Sequence, residues 1–286
     1  MAVFNRRRLK GNAAAFPRPP RLKTARAAAA PGEKLSLRRR GIFLLPNAFT
    51  SGGLFCGFYA IVQAMNRQFD IAAIAIFVAM VLDSLDGRVA RMTNTQSDFG
   101  AEYDSLADMV AFGAAPGLVI YEWSLRGLGK WGWIAAFVYV AGAALRLARF
   151  NTNIDVVDKR FFQGLPSPAA AAMVAGFVWL MVDLNFSGEY LAWFSWIVTV
   201  YAGLSMVSNS LFYSFKDINL RKSVPFIFVV LIILGFVAIS SNPPEWLFGI
   251  FIVYGLSGHV LWLWKRFSKR PILGRASSPD ANGVRD

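Results

Sequence analysis

From about residue 42 onward, long apolar runs alternate with short islands of charge and turn-forming residues. Eight runs stand out, at roughly 42–62, 70–92, 98–121, 131–150, 166–184, 190–213, 224–241 and 246–264. Most approach the ~20 residues that a helix needs to cross a bilayer. A soluble helical protein would bury such runs under amphipathic helices, and eight of them in 286 residues leave too few to do so. The pattern predicts an all-α integral membrane protein of about eight transmembrane helices. Trp131, Trp133, Tyr190, Trp246, Trp262 and Trp264 sit at run ends, where an interfacial aromatic belt would lie.

Composition agrees: 56% of residues are hydrophobic and 16% charged, with a mean hydropathy of +0.44. The placement of charge adds an orientation. With both termini on one side, only Arg67, Arg126 and Lys130 among the 30 Lys and Arg fall on the other. The positive-inside rule makes the richer side cytoplasmic. Residues 1–40 hold 12 Lys/Arg against one acid among Pro, Ala and Gly, which predicts a disordered tail without a signal peptide. It reads equally as attraction to anionic lipid heads or as a topogenic tail. Without aromatic interleaving or a recognisable fold, nucleic acid is not an expected partner. The segment after 264 reads similarly. Cys56 has no intramolecular partner, and His259 reads as a packed helix residue.

Two runs break the apolar pattern with four regularly spaced aspartates within 26 residues. They read Asp83-x-x-Asp86-Gly87-x-x-Ala90-Arg91, then eight residues, then Gly100-x-x-x-Asp104-x-x-x-Asp108. A central Asp costs roughly 2.5–3.5 kcal/mol on insertion scales, so four cost on the order of 10 kcal/mol. The carboxylates must face a polar cavity. Asp83 and Asp86 share a helix face at i,i+3, and Asp104 and Asp108 at i,i+4. Two antiparallel helices joined by the turn RMTNTQSDF would aim both pairs into one pocket. Like charges about 4–6 Å apart repel by several kcal/mol at an effective dielectric near 20, so a proton or a metal must neutralise them. Clustered carboxylates without Cys or a nearby His favour a hard ion such as Mg²⁺ or Mn²⁺. A structural network with Arg88 and Arg91 is the alternative, but two bases do not account for four regularly spaced acids. A cation transporter would give no reason for Gly87, Ala90, Arg91 and Gly100 at fixed offsets.

The pattern D-x2-D-G-x2-A-R-x8-G-x3-D-x3-D resembles the signature of the CDP-alcohol phosphatidyltransferases, with all eight positions filled. The resemblance runs from about Pro46 to about Phe215. It implies a CDP-alcohol phosphatidyltransferase-like bundle: a six-helix catalytic domain at 41–215, two additional helices at 216–265, and tails at 1–40 and 266–286. It also implies two divalent ions bridged by Asp83, Asp86 and Asp104, with Asp108 as general base, metal ligand or both. Gly87 and Gly100 would allow close approach of a cytidine diphosphate, though these glycines and Ala90 also suit helix packing. Arg91, one turn after Gly87, would bond phosphate oxygens or anchor the helix at the membrane edge. Asn47 and Thr50 would line the nucleotide side, or hydrogen-bond their own helix after Pro46.

Within the family, Pro46-Asn47-x-x-Thr50, RLARFN at 146–151 and FQGLPSPAAA at 162–171 are similar to the phosphatidylserine synthase branch. That branch implies transfer of a phosphatidyl group from CDP-diacylglycerol to L-serine with release of CMP. Arg146 and Arg149 would lie on the acceptor side, or snorkel to lipid heads. Glycerol phosphate, inositol phosphate or choline remain alternative acceptors. Membrane prenyltransferases also use aspartate motifs with Mg²⁺, but theirs lie far apart in the chain. The expected setting is the inner (cytoplasmic) membrane among its lipids, multi-pass, with the site facing the cytoplasm. Members are often dimeric, so a homodimer is an expectation.

Topology is testable by cysteine accessibility in a Cys56→Ala background. A cysteine at position 96 or 155 is expected to label only from the cytoplasm, and periplasmic labelling at either contradicts the orientation.

Overall fold

A computed structural model describes residues 37–152, 161–213 and 226–267. Apart from a few residues at their inner ends, the tails expected at 1–40 and 266–286 lie outside the described residues, as does position 155. In chain order the helices are α1 (Leu37–Met65), α2 (Phe69–Thr93), α3 (Asp98–Asp108), α4 (Ala115–Trp123), α5 (Lys130–Thr152), α6 (Ser167–Asp183), α7 (Ala192–Val207), α8 (Phe226–Ser241) and α9 (Pro243–Phe267). A π-helical turn, Met109–Ala114, joins α3 to α4 in one rod, so each of the eight apolar runs is matched by one helix or rod over most of its described length. By length and composition, Pro46–Met65, Lys130–Thr152 and Pro243–Trp264 are long enough to cross a membrane. The apolar segments Ser167–Asp183, Ala192–Val207 and Ile227–Ser241 are shorter.

The all-α bundle carries one addition, a short antiparallel ribbon of β1 (Phe161–Gln163) and β2 (Leu211–Tyr213), with Phe162 opposite Phe212. The sixth run, expected to stay helical to 213, ends instead at Val207. Ser208, Asn209 and Ser210 follow, residue types whose side chains compete for backbone hydrogen bonds. Ser208 is extended, with ψ 158°.

Small residues set the packing. The face of α6 from Ala169 to Ala175 is buried throughout, so this helix forms the centre of the core. Gly142 of α5 meets Gly203 of α7 backbone to backbone, and a Cβ on Gly57 of α1 would lie 2.6 Å from Ala111 Cα. Close approach through Gly and Ala is how helices associate where lipid removes any hydrophobic drive between them. α8 packs chiefly on α9 and exposes Ile232 and Phe236 at 66% and 72%, an outer surface suited to lipid.

The π-turn has a local cause. Pro116 lacks the N–H that would bond the carbonyl of Phe112 four residues earlier. Ala115 N–H reaches back five residues to Val110 O. The Phe112 carbonyl, deprived of that i+4 donor, accepts from the Tyr139 hydroxyl of α5 at 2.8 Å, and Tyr139 is wholly buried. A buried carbonyl without a partner costs about 1–3 kcal/mol. Tyr139→Phe should therefore lower stability by about that amount. Thermal unfolding in detergent checks it, and an unchanged transition would mean that the carbonyl finds another donor.

Candidate active site

The hairpin that carries the acids is built by its turn. Asn94, ending α2, is left-handed at φ 52°, a conformation Asn tolerates better than most residues, and its N–H returns to Ala90 O. Ser97 caps α3, its hydroxyl accepting from Gly100 N–H at 3.1 Å. α3 then packs on α1, and its acids meet those of α2 across a shared cavity.

One carboxylate oxygen from each of Asp83, Asp104 and Asp108 lies within 4.8 Å of the others. Asp86 joins them around a cavity of about 10 Å³, closed by Gly53, by the methyl groups of Ala79, Ala107 and Ala111, and by Phe112. That space is ion-sized, and Asp86 and Asp104 also border the open space beside it. Asp86 is 5% exposed, and the Thr50 hydroxyl holds it at 2.9 Å while also lying 3.2 Å from Pro46 O. Thr50 therefore acts on the aspartates directly, as well as on its own helix.

Among the described residues, no Lys or Arg forms an ion pair with these acids; the pair that does form is Arg126–Glu122, at the far end of α4. A structural Asp–Arg network does not hold the cluster. Three or four carboxylates around an ion-sized space, with no cationic side chain in contact, fit a hard divalent cation.

A larger cleft of about 460 Å³ opens beside the cluster and shares Thr50, Asp86 and Asp104 with it. Asn47, Gly87, Ala90, Arg91 and Gly100 all line this cleft, as the motif led us to expect. Its volume suits a ligand of nucleotide size. A Cβ on Gly87 would come 3.5 Å from Arg91 Nη1, and one on Gly100 would come 3.6 Å from Asn47 Oδ1. Glycine at both positions keeps the cleft wall flat between those polar groups. Thr95, Gln96, Ser97 and Asp98 line it too, residues not singled out from sequence. Their signal was the polarity of the turn RMTNTQSDF itself.

The two arginines of RLARFN part company. Arg146 donates to the Ser167 hydroxyl at the start of α6 and lies within electrostatic range of Asp108 and Asp83. Arg149, expected beside it on the acceptor side, is committed to backbone. It donates to Gln163 O at 3.0 Å and to Met206 O and Val207 O at 3.1 Å, with Ser208 O and Asn209 Oδ1 at 3.4 Å. The end of α7 leaves carbonyls unpaired, and the guanidinium one turn beyond Arg146 is the donor in reach. Asn151 ties α5 to α3 through Ser105 at 3.0 Å. His259 packs against Tyr201 and Phe212, as read from sequence.

Residues 43–201 match the CDP-alcohol phosphatidyltransferase family. The chain is 37% identical over 225 residues to the CDP-diacylglycerol–serine O-phosphatidyltransferase of Helicobacter pylori, covering 78% of this chain and 92% of that one. A protein of the same name from Mycobacterium tuberculosis is 40% identical over 165 residues, or 54% and 57% of the two chains. One from Methanocaldococcus jannaschii is 34% identical over 188 residues, or 66% and 82%. The acid cluster and its cleft fall inside the matched region.

Cation binding is expected to depend on the cluster. In Mn²⁺ titrations followed by electron paramagnetic resonance, Asp83→Asn and Asp104→Asn should each weaken binding by roughly tenfold or more, the scale of one charged contact. Helical circular dichroism should stay unchanged. Equal Mn²⁺ affinity in wild type and variants would remove the cluster as the cation site.

Proposed function

Because this chain belongs to the CDP-alcohol phosphatidyltransferase family, we propose that it transfers the phosphatidyl group of CDP-diacylglycerol to L-serine and releases CMP. The observation that carries the reading is the junction of the four-acid pocket with the nucleotide-sized cleft, inside a region shared with relatives named for serine transfer. The reaction forms a bond from the serine hydroxyl oxygen to the phosphatidyl phosphorus and breaks the bond to CMP. A pair of divalent ions, Mg²⁺ or Mn²⁺, held by Asp83, Asp86, Asp104 and Asp108, would neutralise the diphosphate oxygens and the departing CMP.

The chain's own groups supply the rest. Arg91 presents a fork of donors to a phosphate, and Gly87, Ala90 and Gly100 let the nucleotide lie against backbone. Asn47 and Thr50 face the nucleotide from α1, Thr50 also orienting Asp86. Asp108 takes the serine hydroxyl proton, which requires an approach of about 2.6–3.2 Å in the complex. Arg146 receives the serine carboxylate, for which a guanidinium is the matching partner.

The bias of Lys and Arg supports a multi-pass inner-membrane protein whose pocket opens to the cytoplasm, where a water-soluble acceptor and CMP can exchange. In this reading residues 41–215 are the catalytic domain, 216–265 add two helices, and two copies associate among the membrane lipids.

The test is a head-to-head assay of purified protein with CDP-diacylglycerol and serine, glycerol phosphate, inositol, inositol phosphate or choline. CMP release is expected with serine and is lost in excess chelator. A phosphorylated acceptor that outpaces serine, or full activity in chelator, overturns the reading. Arg146→Gln should raise the serine KM by about ten- to a hundredfold, corresponding to about 1.5–3 kcal/mol for a charge-assisted contact. The CDP-diacylglycerol KM should stay nearly constant. Equal effects on both substrates would move Arg146 off the acceptor.

A further inference from the structure

Resting on the reading that Arg146 meets the acceptor, we propose that Ser167 and Arg149 are positioning residues that hold the Arg146 guanidinium at the aspartate pocket. A long side chain pays rotamer entropy to stay in one place, so something must fix it. Ser167 has no exposed surface, and its hydroxyl accepts from Arg146.

Ser167 is itself held by the segment before it. Leu165 N–H bonds Ser205 O at 3.0 Å, Gly164 N–H bonds Ser210 O at 2.9 Å, and the Gln163 amide bonds Asn209 Oδ1 at 2.9 Å. Arg149 clips the two sides together, binding Gln163 O on one and Met206 O and Val207 O on the other. Gly164, at φ +81°, passes directly under this clip: a Cβ there would collide with Met206 O and lie 2.7 Å from Arg149 Nη2. Only glycine fits that passage. RLARFN and FQGLPSPAAA, ten residues apart in the chain, thus form one device with the end of α7, and its output is the aim of Arg146. A lysine at 149 would present a single ammonium where the planar fork reaches carbonyls on both sides.

Steady-state kinetics of the full-length protein test the relay. Ser167→Ala should raise the serine KM about three- to tenfold, the scale of one hydrogen bond, and leave the CDP-diacylglycerol KM unchanged. In an Arg146→Gln background the same change should have no further effect on serine, because its route is gone. Arg149→Lys should move the serine KM in the same direction. If Arg149→Lys does not fold, the Ser167 and Arg146 pair carries the test alone. Independent multiplication of the Ser167→Ala and Arg146→Gln effects overturns the proposal, as does a Ser167→Ala protein that melts lower with an unchanged serine KM.

A second readout needs no acceptor. Once freed from Ser167, the guanidinium, already within electrostatic range of Asp108 and Asp83, competes with a cation for them. Ser167→Ala should therefore raise the Mn²⁺ concentration needed for thermal stabilisation, in the wild-type background and not with Arg146→Gln. An equal shift in both backgrounds overturns the relay, whereas a wild type that fails to use serine overturns only the functional reading.

Discussion

Mutual repulsion among the acids of the α2–α3 hairpin is the constraint around which this bundle is arranged. Two carboxylates about 5 Å apart repel by about 3 kcal/mol at an effective dielectric of 20, and several such pairs meet here. Apolar helices offer no solvent to dilute that repulsion. The fold responds by leaving an ion-sized space rather than by inserting a base, and small residues, Gly53, Ala79, Ala107 and Ala111, leave room for it. Packing α1 against α2 through Gly52 and Gly53 brings Thr50 to Asp86. Helix packing and ligand geometry are the same set of contacts.

Basic residues are kept near the acids but out of contact with them. Arg91 stays over Gly87, at the cleft rather than at the cluster. Arg146 lies within electrostatic range of the cluster but is tied to Ser167. Had either formed a close pair with an aspartate, it would have competed with the cation for the same oxygens. Arg149 is removed further and serves the backbone. A single helical turn thus separates a guanidinium turned to the pocket from one turned to the scaffold.

The α3–α4 rod shows a similar division. Its first half must present Asp104 and Asp108, and its second half must bury Val119 and Ile120. A regular helix fixes the angle between those faces, and the π-turn at Met109–Ala114 shifts it by one extra residue per turn. Pro116 makes the irregular hydrogen bonding necessary, and Tyr139 makes it tolerable. An irregular turn inside an apolar rod persists because another helix supplies the missing donor.

Period and spacing were enough to read the helical runs, the acid faces and the family resemblance, because each depends on residues close in the chain. Asp83 and Asp86 on one face, and Gly100 one turn before Asp104, follow from helix geometry alone. The partners of those residues did not follow from it. Arg146 and Arg149 look equivalent in RLARFN, and only the meeting of α5 with the end of α7 distinguishes them, through carbonyls belonging to residues some 57 positions away. The ribbon of β1 and β2 and the link from Tyr139 to Phe112 are likewise contacts between distant segments. Sequence by itself determined which residues share a helix face, since a 3.6-residue repeat is local. Which face meets which was decided by tertiary packing, because an unpaired carbonyl or a flexible guanidinium takes whatever partner the neighbouring helix brings.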